Sequence, residues 1–349
     1  MADNTVNTDQ TSTLFVNTND ESWLITKPTS INVNNSSGIY ESGSGNTINV
    51  QGDVKITGNY DAIHFQGATS RVIVGGDSVI NAVGGLSGIQ YDGSGGSIRV
   101  DGLVKGGTYG IHGNIWADVV NTGTVNGQTA IAFDGDAADI TNTGTAHGTN
   151  YGIVVGASGT IINNGKDGAI TAGIIGVEFD GAGDSVLVNR GLIKGGSEAI
   201  SGGVGDNDIT NLGKIIGNIY LSDGEDRIDM RQGSIQGKVF GGADNDTFLV
   251  SDTHAKIFES SGGGLQDTVY STVDFTLGAN FDILRLQGNK NIDGNGNGAS
   301  NEIFGNQGNN HMLGRAGDDT VSGQLGNDLL TGGGGFDTFV FNKNFDVDR

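Results

Sequence analysis

Near its C-terminal end this 349-residue chain repeats glycine and aspartate at a spacing suited to holding a hard cation. From Gly296 the sequence runs GNGASNEIF, GNQGNNHML, GRAGDDTVS, GQLGNDLLT and GGGGFDTFV, five nonapeptides in unbroken tandem over 296–340. Each approximates G-G-x-G-x-D-x-aliphatic-x, the repeat of a calcium-binding parallel β-roll. Glycines permit the tight, positive-φ turn and let carbonyl oxygens point inward. The sixth residue supplies a carboxylate, and the aliphatic eighth fills a thin core. Calcium takes about six to eight oxygens, a demand met by carbonyls of paired turns together with aspartates. Two nonapeptides per coil bring turns 18 residues apart together, pairing Asp319 with Asp337 and Asn310 with Asp328. The expected metal-holding set is therefore Asp319, Asp328, Asp337, Asn310 and Asn301, in turns built by Gly314, Gly317, Gly323, Gly326, Gly332 and Gly335. Asn301 and Asn310 stand where a carboxylate is usual, so sites using them should bind weakly or stay empty. A disordered Gly/Asp-rich tail is the plainer alternative, but a chance tandem match of this length is very improbable.

Ahead of these turns the sequence is all-β. Helical periodicity is almost absent, and short alternating runs such as NTINV, RVIV and SIRV sit between Gly, Asn, Asp and Ser punctuation. A small residue followed by an aliphatic one begins GIYESG at Gly38 and returns at Ala62, Gly88, Gly110, Ala130, Gly152, Gly176 and Ala199, at spacings of 24, 26, 22, 20, 22, 24 and 23. A second marker, aliphatic–x–Asn–x–Gly, places Asn121, Asn142, Asn163, Asn189 and Asn211 in phase with it. A period of about 22 fits one coil of a parallel β-helix, whose coils bury their inner faces only by stacking. Ile39, Ile63, Ile89, Ile111, Ile131, Ile153, Val177 and Ile200 should form an inward ladder, and the asparagines a hydrogen-bonded ladder at a turn. Four segments follow: residues 1–37 as an N-terminal cap, 38–238 as β-helix, 239–295 as an isolated Gly/Asp repeat and spacer, and 296–349 as β-roll and tail.

The charge sum is 18 − 40 = −22, with a pI near 4.3, which argues against nucleic-acid binding and favours cations. There is no cysteine, which excludes thiolate chemistry and disulfides, and the five histidines are scattered. No apolar run approaches a membrane span, so insertion is not expected, and MADNTVNTDQTSTLF lacks the features of a cleaved secretory signal. Within the coils, Asp92, Asp134 and Asp180 recur in F/Y-D-G sites on alternate coils, with Asp136, Asp139 and Asp184 near the second and third. Lys55, Lys105 and Lys194 recur in G-x-aliphatic-Lys sites. The bland reading is turn aspartates and solvated lysines. The sharper one makes Asp92, Asp134, Asp180, Lys105 and Lys194 candidate catalytic residues on an extended sugar chain, since alternate coils lie about 10 Å apart.

The nonapeptides resemble the repeats-in-toxin (RTX) hemolysin-type calcium-binding proteins of Gram-negative bacteria. The likeness extends back to FGGADNDTFLVSD, where Gly241, Gly242, Asp244 and Asp246 form an isolated repeat, and on through a spacer, covering roughly 239–341. It implies that Asp244 and Asp246 add to the metal set. It also implies one-step export by a type I secretion apparatus to the medium or cell surface, with calcium outside the cell driving folding. The tail, FNKNFDVDR, is shorter and less apolar than the family usually carries. In layout alone the chain is similar to the type I-secreted exopolysaccharide glycanases of rhizobia, with no residue to carry over. That layout implies a polysaccharide-degrading enzyme, glycanase or lyase, acting on acidic exopolysaccharide. The alternative is a non-catalytic matrix or adhesion protein that binds polysaccharide or a host surface.

Overall fold

The computed structural model describes residues 4–135, 138–156 and 158–341, which form strands and no helix. They divide into two units, residues 1–203 with 213–217 and residues 204–212 with 218–349. The second unit thus begins before position 239, where the motifs place the boundary, and takes in the coil that carries Asp226.

The first unit is a parallel β-helix with three ladders. One passes through Arg71–Val74, Gly96–Val100 and Ala117–Asn121, and a second through Asp53–Thr57, Val79–Ala82 and Leu103–Gly106. The third passes through Ile63–Phe65, Ser87–Tyr91 and Tyr109–Gly113. Its register stacks Ile39, Ile63, Ile89, Ile111, Ile131, Ile153, Val177 and Ile200. All eight are fully buried, so the aliphatic ladder expected from the repeat is the core of this unit. Each buried side chain is worth about 1.5–3 kcal/mol, and a one-residue slip would turn all of them outward. The small residue before each aliphatic has a steric cause. A Cβ on Gly88 would lie 2.5 Å from Val104 Cγ1 and 2.7 Å from Gly110 O, where the chain folds between the second and third ladders. Residues 4–34, assigned by sequence to a cap, are themselves built as coil: Asn4–Val6 pairs with Ser22–Ile25, and Ser30–Asn34 with Asp53–Thr57.

The asparagine ladder needs one correction. Register stacks Asn121, Asn142, Asn164 and Asn189, so the third member is Asn164 and not Asn163. Strand alternation decides this, because Thr160–Asn164 buries Ile162 and Asn164 and turns Asn163 toward the surface. The marker placed Asn163 one position early because in IINNG the first of two adjacent asparagines fits it.

In the second unit, parallel strands Asn207–Asn211, Arg227–Asp229, Thr247–Val250, Thr268–Ser271, Ile283–Leu286, Glu302–Phe304, Thr320–Ser322 and Thr338–Phe339 form one ladder. Phe275–Thr276, Gly294–Asn295, His311–Ala316 and Leu329–Gly334 form another. The register pairs Thr320 with Thr338 and His311 with Leu329, two nonapeptides per coil. Ile303, Met312 and Val321, at position eight of their repeats, are fully buried and form the thin core.

Candidate metal centre

One hydrogen bond recurs up the second unit. Asp246 Oδ1 accepts from the Asp226 amide (2.9 Å), Asp267 Oδ1 from the Asp246 amide (2.8 Å), and Asp282 Oδ2 from the Asp267 amide (3.0 Å). The nonapeptides repeat it: Asp319 Oδ1 accepts from the Asn301 amide (2.8 Å), Asp328 Oδ1 from Asn310 (2.7 Å) and Asp337 Oδ1 from Asp319 (3.1 Å). Each sixth-position carboxylate thus anchors the turn one coil back with one oxygen. The second oxygens of Asp226, Asp246, Asp267 and Asp319 are buried without a hydrogen-bond partner. A buried, unpaired carboxylate oxygen is expensive, and a cation is the natural way to satisfy it.

Asp246, Glu259 and Asp267 converge most closely. One oxygen from each lies within 4.8 Å of the others. A calcium ion bonding oxygens at about 2.3–2.6 Å can span ligands about 5 Å apart, so one ion fits among all three. Without it the carboxyls resist ionisation. Burial, then the facing Glu259, Asp226 and Asp267, pushes Asp246 up to about 9. Burial and Asp267 push Glu259 up to about 8, and burial alone accounts for most of the rise of Asp226 to about 7. Asp267 is raised by burial and Asp282, and Asp319 by burial, Asp337 and Asp318. Space is kept for an ion as well. A Cβ on Gly241 would collide with Glu259 Oε1 and Asp246 Oδ2, and a Cβ on Gly314, Gly323 or Gly332 would strike the carboxylate of Asp319, Asp328 or Asp337 in the same repeat. Gly317, Gly326 and Gly335 take φ of 106°, 123° and 132°, the turn conformation the repeat requires. The donor set is all oxygen, which suits calcium over zinc or copper.

Two members of the expected set behave differently. Asp244 is exposed at φ 68° and lies outside the convergent group. At Asn301 and Asn310 the side-chain amide does what a cation would do. Asn301 Nδ2 donates to Phe281 O (2.9 Å), and Asn310 Nδ2 donates to Ile292 O (2.7 Å) and Asn306 Oδ1 (3.0 Å). Sequence reading missed Glu259 and Asp267. Asp267 had a signal: GGGLQDTVY places it sixth, with Val269 eighth. Glu259 had none, because it reaches the site from outside any repeat.

Residues 295–339 match the family model of the RTX calcium-binding nonapeptide repeat (4 copies). This stretch of the chain is a run of RTX hemolysin-type calcium-binding repeats. RTX nonapeptide repeats bind calcium, and the match lies wholly within the second unit. No curated protein and no solved structure matches the chain.

The first unit brings two of the catalytic candidates into a polar network. Asp92 Oδ2 meets His64 Nε2 at 2.8 Å, and its Oδ1 accepts from Gln90 Nε2 and Asn114 Nδ2, each at 2.7 Å. His64 Nδ1 lies 3.3 Å from Asp61. Burial opposes the imidazolium, but hydrogen bonds to Asp61 and Asp92 outweigh it and raise the pKa of His64. On the next coil His112 joins Gln90 Oε1 (2.9 Å) to Asp134 Oδ2 (2.9 Å) and stacks on Tyr109, ring centroids 4.2 Å apart. His64, Gln90 and His112 stack because they are neighbours in the third ladder, a signal present in the repeat alignment but passed over. Lys105 and Lys194 belong to the second ladder, in one row with Lys55, Asn81, Asn126, His147 and Thr171, so they do not join this network. Asp180 follows the third-ladder strand Ile175–Phe179, where Val177 pairs with Ile200, and has no histidine neighbour in register. Asp136 and the tail beyond 341 lie outside the described residues.

Proposed function

We propose that this is a secreted, calcium-dependent protein whose second unit folds around calcium outside the cell and whose first unit acts on a polysaccharide. The observation that carries the calcium part is the convergence of Asp246, Glu259 and Asp267 with buried, unpartnered oxygens on both aspartates. Calcium there, and in the turns of Asp319, Asp328 and Asp337 with the carbonyls around them, supplies charge neutralisation and crosslinks successive coils. Since the ligands must be deprotonated and the turns are not formed in the unfolded chain, binding free energy becomes folding free energy. In calcium-poor cytosol the carboxylates repel and the unit stays unfolded, the state in which a type I apparatus would thread it.

The polysaccharide part rests on the Asp61–His64–Asp92 and His112–Asp134 groups. An imidazole held beside a carboxylate pairs a group that can give a proton to a leaving glycosidic oxygen with one that can act as base toward the incoming water. The competing reading, a non-catalytic matrix or adhesion protein, draws on the same network, because each of its imidazoles is already hydrogen-bonded, as in a rigid binding face. Incubation of the calcium-loaded protein with purified acidic exopolysaccharide separates them. Falling viscosity with new reducing ends supports a hydrolase, and ultraviolet absorbance from an unsaturated uronate supports a lyase. Sedimentation with the polymer at constant viscosity supports adhesion, and neither binding nor thinning removes the polysaccharide reading.

A further inference from the structure

We propose that a groove beside Arg285 in the second unit binds a carboxylate-bearing sugar of an acidic polysaccharide. The inference rests on the polysaccharide reading above and names where such a polymer is held. The groove encloses about 430 Å³, within the range of small-molecule sites. Its working surface is Tyr270, Arg285 and Phe304, neighbours in one ladder, flanked by the amide side chains of Gln287, Gln307 and Gln324. The Arg285 guanidinium lies 4.0 Å over the Phe304 ring.

The charge of the groove runs against that of the chain. The chain carries 40 acidic and 18 basic residues, yet no carboxylate lines this groove. Asp282, Glu302 and Asp318 line a separate groove that Arg285 also borders, but among the described residues none of the three forms an ion pair with it. A second guanidinium reaches the edge, where Arg231 Nη1 donates to Gln287 Oε1 (3.2 Å) while Asp229 clamps its other nitrogens. A guanidinium fixed on an aromatic ring presents its planar fork to a carboxylate and binds it through two parallel hydrogen bonds. Tyr270 and Phe304 offer faces to the apolar side of a sugar ring, and the glutamine amides offer donors and acceptors to its hydroxyls. A uronate residue carries all three features at once. The negative remainder of the surface would repel a polyanion unless salt or calcium screened it, so a local cationic groove is where contact begins.

The test is calorimetric titration of the full-length, calcium-saturated protein with a short oligogalacturonate, its methyl ester and a neutral cello-oligosaccharide. The oligogalacturonate should bind and the other two should bind at least roughly tenfold more weakly, the loss expected when a charge-assisted pair is removed. Arg285→Gln should lose affinity by a similar factor, and Arg285→Lys, which keeps the charge but not the fork, should fall between. Circular dichroism and calcium titration of each variant establish that the unit still folds. Unchanged affinity in Arg285→Gln, equal binding of the ester, or no binding of the oligogalacturonate overturns the groove. If exopolysaccharide is still bound or thinned in those cases, the wider reading survives without it; if no polymer is bound, both fail.

Discussion

Asn121, Asn142, Asn164 and Asn189 stack once per coil in the first unit, and Asp226, Asp246 and Asp267 do so in the second. The two series differ by one functional group. An asparagine has both donors and acceptors, so each Nδ2 gives to the next Oδ1 at 2.7, 2.9 and 2.8 Å and the stack is neutral, with Asn121 Oδ1 at its first member left as a buried acceptor without a partner. An aspartate only accepts. One oxygen takes a backbone amide, the other has nothing to take, and like charges accumulate up the axis. Burial by itself does not create this need. Glu41 is fully buried in the first unit, but it accepts from Asn46 Nδ2 (2.7 Å), Ser70 Oγ (3.0 Å) and the Gly67 amide (3.0 Å). What separates the two regions is the supply of donors, and metal dependence follows from its absence.

The largest expected effect comes from moving carboxylate chemistry into the neutral stack. Asn164→Asp leaves an acceptor-only, buried group facing Asn142 and Asn189 and should destabilise the first unit by about 3 kcal/mol, with no rescue by calcium. Thermal unfolding measured with and without calcium checks this, and a variant as stable as the parent would break the comparison. Next in size is Asp246→Asn, which removes one charged ligand from the closest group. Calcium affinity there should fall by about tenfold or more, while the chelated second unit becomes less unstable because the cost of holding that carboxyl protonated in the fold is gone; calorimetric titration and circular dichroism after chelation read the two separately.

Acidity gives a third handle. In the metal-free fold Asp246, Glu259 and Asp226 sit at about 9, about 8 and about 7, all above the roughly 4 of an unfolded carboxyl. The folded state therefore binds more protons than the unfolded one across that interval, and metal-free stability is greatest at low pH and declines as pH rises from about 4 to about 9. Chelated protein should therefore recover β-structure in its second unit as pH falls and lose it as pH rises, read by circular dichroism. Calcium loading near neutrality should release protons. The smallest effect is at Asn310. Asn310→Asp exchanges donors to Ile292 O and Asn306 Oδ1 for a charge and should raise calcium uptake a few-fold while making that turn calcium-dependent; titration stoichiometry reports it.

Much of this was legible in the residues. The Gly/Ala–Ile marker yielded the core ladder, because only one register buries every aliphatic, and the nonapeptides yielded the 18-residue stacking. Asn163 was misplaced because it alone fits the marker, whereas strand alternation buries the next residue, Asn164, directly before Gly165. Glu259 was invisible because it lies outside any repeat, 13 residues after Asp246 and 8 before Asp267. The pairing of His64 with Asp92 was hidden for a related reason, since the contact crosses from one coil to the next, 28 residues on.

The central claim is that the aspartate turns hold their shape only around calcium while the asparagine coils need none. Peptide-resolved hydrogen exchange of the full chain, before and after chelation, tests it directly. Amides in 241–339 should lose protection without calcium and regain it on adding calcium back, while those in 63–201 stay protected throughout. Equal protection of 241–339 in both states, with no calcium taken up on titration, would contradict the account.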